Sequence, residues 1–157
     1  MTKQLFNSGW SFALKKIGEK PEAGDYRPVD IPHDWLIHNT RALYADGDGC
    51  YKKIFTVNEI EGRVYILRFD GVYMDSEILL NGERIFEWKY GYTTFDVELK
   101  GLREGENVIE VIVHHKSPNT RWYSGAGIFR NVWLTVSGED RIVPDGTYIC
   151  ADLDGDR

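Results

Sequence analysis

Arg63-Val-Tyr-Ile-Leu-Arg-Phe-Asp70 alternates, with Tyr65, Leu67 and Phe69 on one face of an extended chain and Val64, Ile66 and Arg68 on the other. Asn107 to His115 repeats the pattern, setting Ile109, Val111, Val113 and His115 against Val108, Glu110, Ile112 and His114. Both faces are largely apolar in mid-segment, so each segment reads as a central strand. Between them, Glu77-Ile-Leu-Leu80 and Glu83-Arg-Ile-Phe86 flank Asn81-Gly82. That dipeptide accepts the two positive φ angles of a type I′ turn, which makes the segment a hairpin. Tyr51 to Val57, Thr94 to Val97 and Val132 to Val136 are further strand candidates, rich in β-branched and aromatic residues. Gly71, Gly101, Gly105 and Gly138 punctuate them.

No stretch sustains a helical apolar stripe, and Leu99 to Gly105 gives at most one helical turn before a glycine stops it. Short strands with turn signals every ~8–12 residues predict an all-β fold, a two-sheet sandwich of the Greek-key or jelly-roll type. The 157 residues suit one such domain. A 42% hydrophobic and 13% aromatic composition is ample for a core.

Nineteen basic against twenty-five acidic residues give a net charge of -6, and no run of Lys or Arg forms a stripe that would hold a phosphate backbone, so no nucleic-acid partner is expected. The opening Met1-Thr-Lys-Gln-Leu-Phe6 has no signal-peptide character, and no apolar run approaches the ~20 residues that span a bilayer. The expectation is no membrane contact and a cytoplasmic protein. Cys50 and Cys150 sit in no CxxC spacing and read as two free thiols. After Val136 the chain changes character: Ser137-Gly-Glu-Asp140 reads as a loop, Pro144-Asp-Gly146 as a turn and Thr147-Tyr-Ile149 as the start of a new strand. The expected organisation is a domain over residues 1–137 and a linker leading into a second module over 138–157.

Three stretches carry a family resemblance. Ile31-Pro-His-Asp-Trp35 resembles the Pro-His-Asp-Trp segment of family 2 glycoside hydrolases, and Asp48-Gly-Cys-Tyr-Lys-Lys-Ile-Phe55 is similar to their Gly-x-Tyr-x-(Lys/Arg) strand. Asn119-Thr-Arg-Trp-Tyr-Ser-Gly-Ala-Gly-Ile-Phe-Arg-Asn-Val-Trp133 resembles their Arg-Trp-Tyr-x-Gly-x-Gly-Ile-(Tyr/Phe)-Arg-Asn-Val signature. Phe69-Asp-Gly-Val72, Leu80-Asn-Gly82, Tyr92 to Leu99 and Gly105-Glu-Asn-Val108 follow in the family's order, so the resemblance runs over roughly residues 8 to 137. It implies a galactose-binding-domain-like jelly-roll β-sandwich, the amino-terminal domain of an enzyme most like a β-galactosidase. In that family an immunoglobulin-like domain and a (β/α)8 barrel follow, and the barrel holds the two catalytic Glu residues. Pro144 to Ile149 is similar to the opening of the immunoglobulin-like module.

A retaining glycosidase needs two carboxyl groups about 5–5.5 Å apart. Asp70, Asp75, Glu77 and Glu83 cluster at the hairpin as solvated turn charges, so no catalytic residue is assigned to this chain. His33, Asp34 and Ser124 make a triad only on paper, and the reading adopted is a structural loop braced by Trp35. His114 and His115 point to opposite faces of a strand and cannot chelate one metal together. Asp152-Leu-Asp-Gly-Asp156 lacks the spacing and bidentate Glu of a calcium loop. No metal or cofactor is expected.

Sugar binding is a different matter. A sugar presents hydroxyls for polar side chains and a C–H face for aromatic rings, and Asn119, Arg121 and Trp122 offer both, with Tyr123 alongside. The resemblance adds Asp46, in the loop before Gly49-Cys-Tyr51, where family members often carry Asn. Two such loops reach over the barrel's active site in β-galactosidases. Tyr90 and Tyr92, on a neighbouring connection, read as core packing. The expected partners are a β-galactoside and the remaining domains of the parent enzyme, and a homo-oligomer is compatible with the residues. The competing readings are an independent carbohydrate-binding module, or the same domain of a β-glucuronidase or β-mannosidase.

Overall fold

The computed structural model describes residues 1–37, 41–42, 44–119 and 125–152. Among the described residues ten strands form two antiparallel sheets. In chain order they are β1 (Thr2–Leu5), β2 (Trp10–Lys15), β3 (Arg27–Val29), β4 (Gly47–Val57), β5 (Arg63–Phe69), β6 (Ser76–Leu80), β7 (Glu83–Trp88), β8 (Phe95–Glu98), β9 (Gly105–His115) and β10 (Val132–Gly138). One sheet has the order β1-β10-β5-β8 and the other β3-β2-β4-β9-β6-β7. The all-β sandwich expected from the sequence is the fold observed. A single 3-10 turn at Ala23–Asp25 is the helical element among the described residues.

Both segments read as central strands are central, β5 between β10 and β8 and β9 between β4 and β6. Their inward residues, Leu67 and Phe69 from β5 and Ile109, Val111 and Val113 from β9, are fully buried and meet in one core. At one end Phe95 stacks on Phe69 at 5.0 Å, on Trp88 at 5.3 Å and on Phe86 at 5.7 Å between ring centroids, filling the space between the sheets with flat surfaces. The β6–β7 hairpin turns on Asn81 and Gly82 at φ of 52° and 87°, as the dipeptide requires. Buried Asn107 fixes that end by accepting from Asn81 Nδ2 at 2.9 Å and donating to the Arg103 carbonyl at 2.7 Å.

Three strands, β1 to β3, lie outside the sequence expectation. β1 has no apolar face, and its four residues are all exposed, so only its ladder with β10 makes it a strand. β3 carries Pro28, which is tolerated because the strand lies at a sheet edge. β2 does alternate, with Trp10 and Phe12 facing inward. β4 begins at Gly47 rather than Tyr51, because buried Asp48 extends the pairing to His114. Thr147-Tyr-Ile149 is not a strand: it has no ladder partner, and Tyr148 and Ile149 are 89% and 84% exposed. Tyr90 is exposed rather than packed, while Tyr92 lies against Tyr73 with its hydroxyl buried. Cys50 is buried and Cys150 exposed, and both are free.

The aromatic stack sets a measurable cost. Phe95→Ala removes the ring shared by three neighbours, and the urea midpoint should report a loss of about 3–5 kcal/mol. Tyr90→Ala, at an exposed ring, should change stability by no more than ~0.5 kcal/mol.

Candidate functional site

Strands β4 and β9 pair in register from Gly47↔His115 to Val57↔Gly105, so the connection before β4 and the connection after β9 leave the sandwich at the same edge. Side chains then tie the two connections together. Asp46 Oδ1 accepts the Ser117 N–H at 2.7 Å, and His115, fully buried, donates from Nδ1 to the Ala45 carbonyl at 2.9 Å. Asn119 is held from the other side, where the hydroxyl of buried Tyr73 donates to its Oδ1 at 3.2 Å. Asp46 and Asn119 are both exposed, so one carboxylate and one carboxamide face solvent on a shared rim. Arg121 and Trp122, with Tyr123 and Ser124, lie outside the described residues.

The base of the rim is an interlock of the three motif segments. Asp34 is buried, and its Oδ1 accepts the backbone N–H of Leu36 at 2.9 Å, of Ile37 at 3.3 Å and of Ala126 at 3.1 Å. The first two close the local turn and the third reaches across 92 residues of chain. Alongside it, His33 N–H donates to the Ile128 carbonyl at 2.8 Å and Trp35 N–H to the Ala126 carbonyl at 3.1 Å. Gly127 forms a two-way bridge with Tyr73, 2.9 Å in each direction. At a φ of 132° it also passes so close to the His33 carbonyl and the Tyr51 hydroxyl that a Cβ would collide with both. His33 Nδ1 lies 2.8 Å from that same hydroxyl. Trp35 lies flat over Gly49, whose missing side chain makes the space for the indole. In these contacts the polar atoms of His33 and Asp34 serve the loop, while Ser124 lies outside the described residues.

His114 and His115 do point to opposite faces, one to the buried layer and one to the outer surface of the six-stranded sheet. His114 Nδ1 is 2.7 Å from Asp48 Oδ1, and Asp48 Oδ2 accepts the Gly18 N–H at 2.7 Å. Glu77 Oε1 stands 3.7 Å from His114 Nε2. Beside Asn119, a small cavity of about 100 Å³ is lined by Met74, Asp75, His114 and Lys116. Among the described residues no group of three or more His, Cys, Asp and Glu side chains could hold a metal ion. Sequence reasoning missed Tyr73 and the Asp48–His114 pair, whose partners are separated by 46 and 66 positions and meet only through strand register.

The family described as glycosyl hydrolases family 2, sugar binding domain, matches residues 11–137. A β-galactosidase of Bacteroides ovatus is 36% identical over 92% of this chain and 19% of its own length. A β-glucuronidase of Bacteroides fragilis is 29% identical over 89% of this chain and 21% of its own length. A solved glycosyl hydrolase family 2 member from Bacteroides cellulosilyticus superposes with a TM-score of 0.78 at 32% identity, over 88% of this chain and 21% of that one. The chain thus spans about a fifth of the length of these relatives.

The interlock predicts a localised effect. Asp34→Ala leaves three N–H groups without their acceptor, at about 1–3 kcal/mol for each one that stays buried. Amide exchange at Ala126 and Leu36 should accelerate while Val111 in β9 stays protected, and Asp34→Asn, which keeps Oδ1, should recover part of the protection.

Proposed function

The chain belongs to the sugar-binding domain family of the family 2 glycosyl hydrolases, and from that premise we propose that it serves as the non-catalytic amino-terminal domain of a retaining β-galactosidase. Its part is to supply polar contacts to the terminal sugar and surface for packing against the domains that carry the catalytic carboxylates. The observation that carries this reading is the shared rim. Asp46 and Asn119 come from separate connections, are held through Ser117 and Tyr73, and keep exposed polar atoms at one edge. A carboxylate and a carboxamide so fixed can bind adjacent sugar hydroxyls without first being ordered. The galactosidase assignment is supported by the 36% identity to the Bacteroides ovatus β-galactosidase. A β-glucuronidase parent is the second reading, supported by the 29% match to the Bacteroides fragilis enzyme.

The division of labour fixes what to measure. The intact parent should hydrolyse an aryl β-galactoside faster than the matching β-glucuronide, and this chain alone should hydrolyse neither. Asn119→Ala in the parent removes one polar contact, so kcat/KM for the galactoside should fall about 2- to 10-fold with the fold of the domain unchanged. An unaltered kcat/KM would remove Asn119 from the sugar site, and a preference for the glucuronide would move the assignment to the second reading.

A further inference from the structure

Away from the rim, the outer face of the six-stranded sheet carries a roofed groove. The segment between β2 and β3 folds back over strands β2, β4 and β9 and is fastened at both ends. Gly18 N–H donates to buried Asp48, and Lys15 Nζ pairs with Asp25 Oδ2 at 2.6 Å. Within the segment, Glu22 N–H donates to Asp25 Oδ2 at 2.7 Å and Asp25 N–H to the Glu22 carbonyl at 3.1 Å, closing the 3-10 turn. Under this roof lie two adjoining cavities of about 240 and 450 Å³, which share Pro21, Tyr26 and Glu110. The smaller is floored by Cys50, Leu79 and Ile112, and the larger opens past Lys52. Neither includes a residue of the Asp46–Asn119 rim.

The lining selects a ligand class. An apolar floor and the Tyr26 ring suit a C–H face, while Glu110 at the junction of the two cavities, paired with Lys52 at 4.0 Å, sets an acceptor beside a donor for sugar hydroxyls. Burial pushes the Tyr26 phenol up to about 12, so it remains a neutral donor at physiological pH. Lys20 and Lys52 also line the cavities, but Lys52 pairs with Glu110 at 4.0 Å, so the lining gathers no cluster of cations that would select a phosphate. Strand addition by a peptide would need a free edge, whereas β2, β4 and β9 are paired on both sides. A neutral, polyhydroxylated ring is the chemistry that matches this combination of apolar floor, aromatic ring and paired charges. We propose that this groove is a second saccharide site, separate from the rim and held open by the loop that roofs it.

The test is a titration of the isotope-labelled chain with methyl β-galactoside and with lactose, followed by NMR. Saturable shifts are expected at Tyr26, Glu110 and Ile112. Tyr26→Ala should weaken that binding at least ~10-fold, and Glu110→Gln, which keeps the side-chain volume and the roofing loop, several-fold. Shifts confined to Asp46 and Asn119 would overturn the groove while leaving the rim assignment standing. No shifts at either place would overturn the groove, and the rim would still be judged by the kinetics of the parent enzyme. Groove shifts that survive both substitutions would overturn it as well.

Discussion

One carboxylate, that of Asp34, gathers backbone N–H groups from two parts of the chain that are far apart in sequence: Leu36 and Ile37 beside it, and Ala126 at the far end of the domain. A buried carboxylate is costly unless such donors satisfy it, and charge-assisted hydrogen bonds are stronger than neutral ones. The arrangement therefore works in both directions. The charge is tolerated because three dipoles point at it, and the two segments stay together because neither can leave without exposing the charge to an apolar surround. Gly127 adds a steric condition: it approaches His33 and Tyr51 so closely that no side chain fits.

From this interlock the rim follows. Gly127 is bridged to Tyr73, and Tyr73 holds Asn119 by its hydroxyl. On the other connection, strand pairing between β4 and β9 brings Asp46 to Ser117. Asp46 and Asn119 are thus positioned by backbone groups and buried side chains of a rigid sandwich, with each exposed polar atom one hydrogen bond away from a fixed point. Function placed on loops gains its precision from the scaffold beneath them. The aromatic stack around Phe95 fills the layer between the two sheets with flat rings.

Much of this was legible in the sequence where the signal is local. Asn81-Gly82 specifies its own turn, and the two-sided apolar runs in β5 and β9 specify central strands. The three motif segments announce themselves by composition, yet the reason they occur together is a set of contacts between them: Trp35 over Gly49, Asp34 with Ala126, Gly127 under Tyr51. None of these follows from spacing. β1 was illegible because Thr2-Lys-Gln-Leu5 buries nothing and owes its form to the β10 ladder. Tyr148 and Ile149 carry strand-forming side chains, but propensity without a partner strand makes no sheet. Asp46 and Asn119 stand out by chemistry and resemblance, whereas Tyr73 and His115, which place them, look like ordinary core residues until the register is known.

The most direct measurement of the interlock is the amide spectrum of Gly127→Ala. A side chain at that φ collides with His33 and Tyr51, so signals of His33, Tyr51 and Tyr73 should move, and with them Asp46, Ser117 and Asn119 at the rim, while Asn81 and Gly82 in the hairpin stay in place. A folded variant in which the rim signals keep their positions would contradict the interlock as the element that holds the rim.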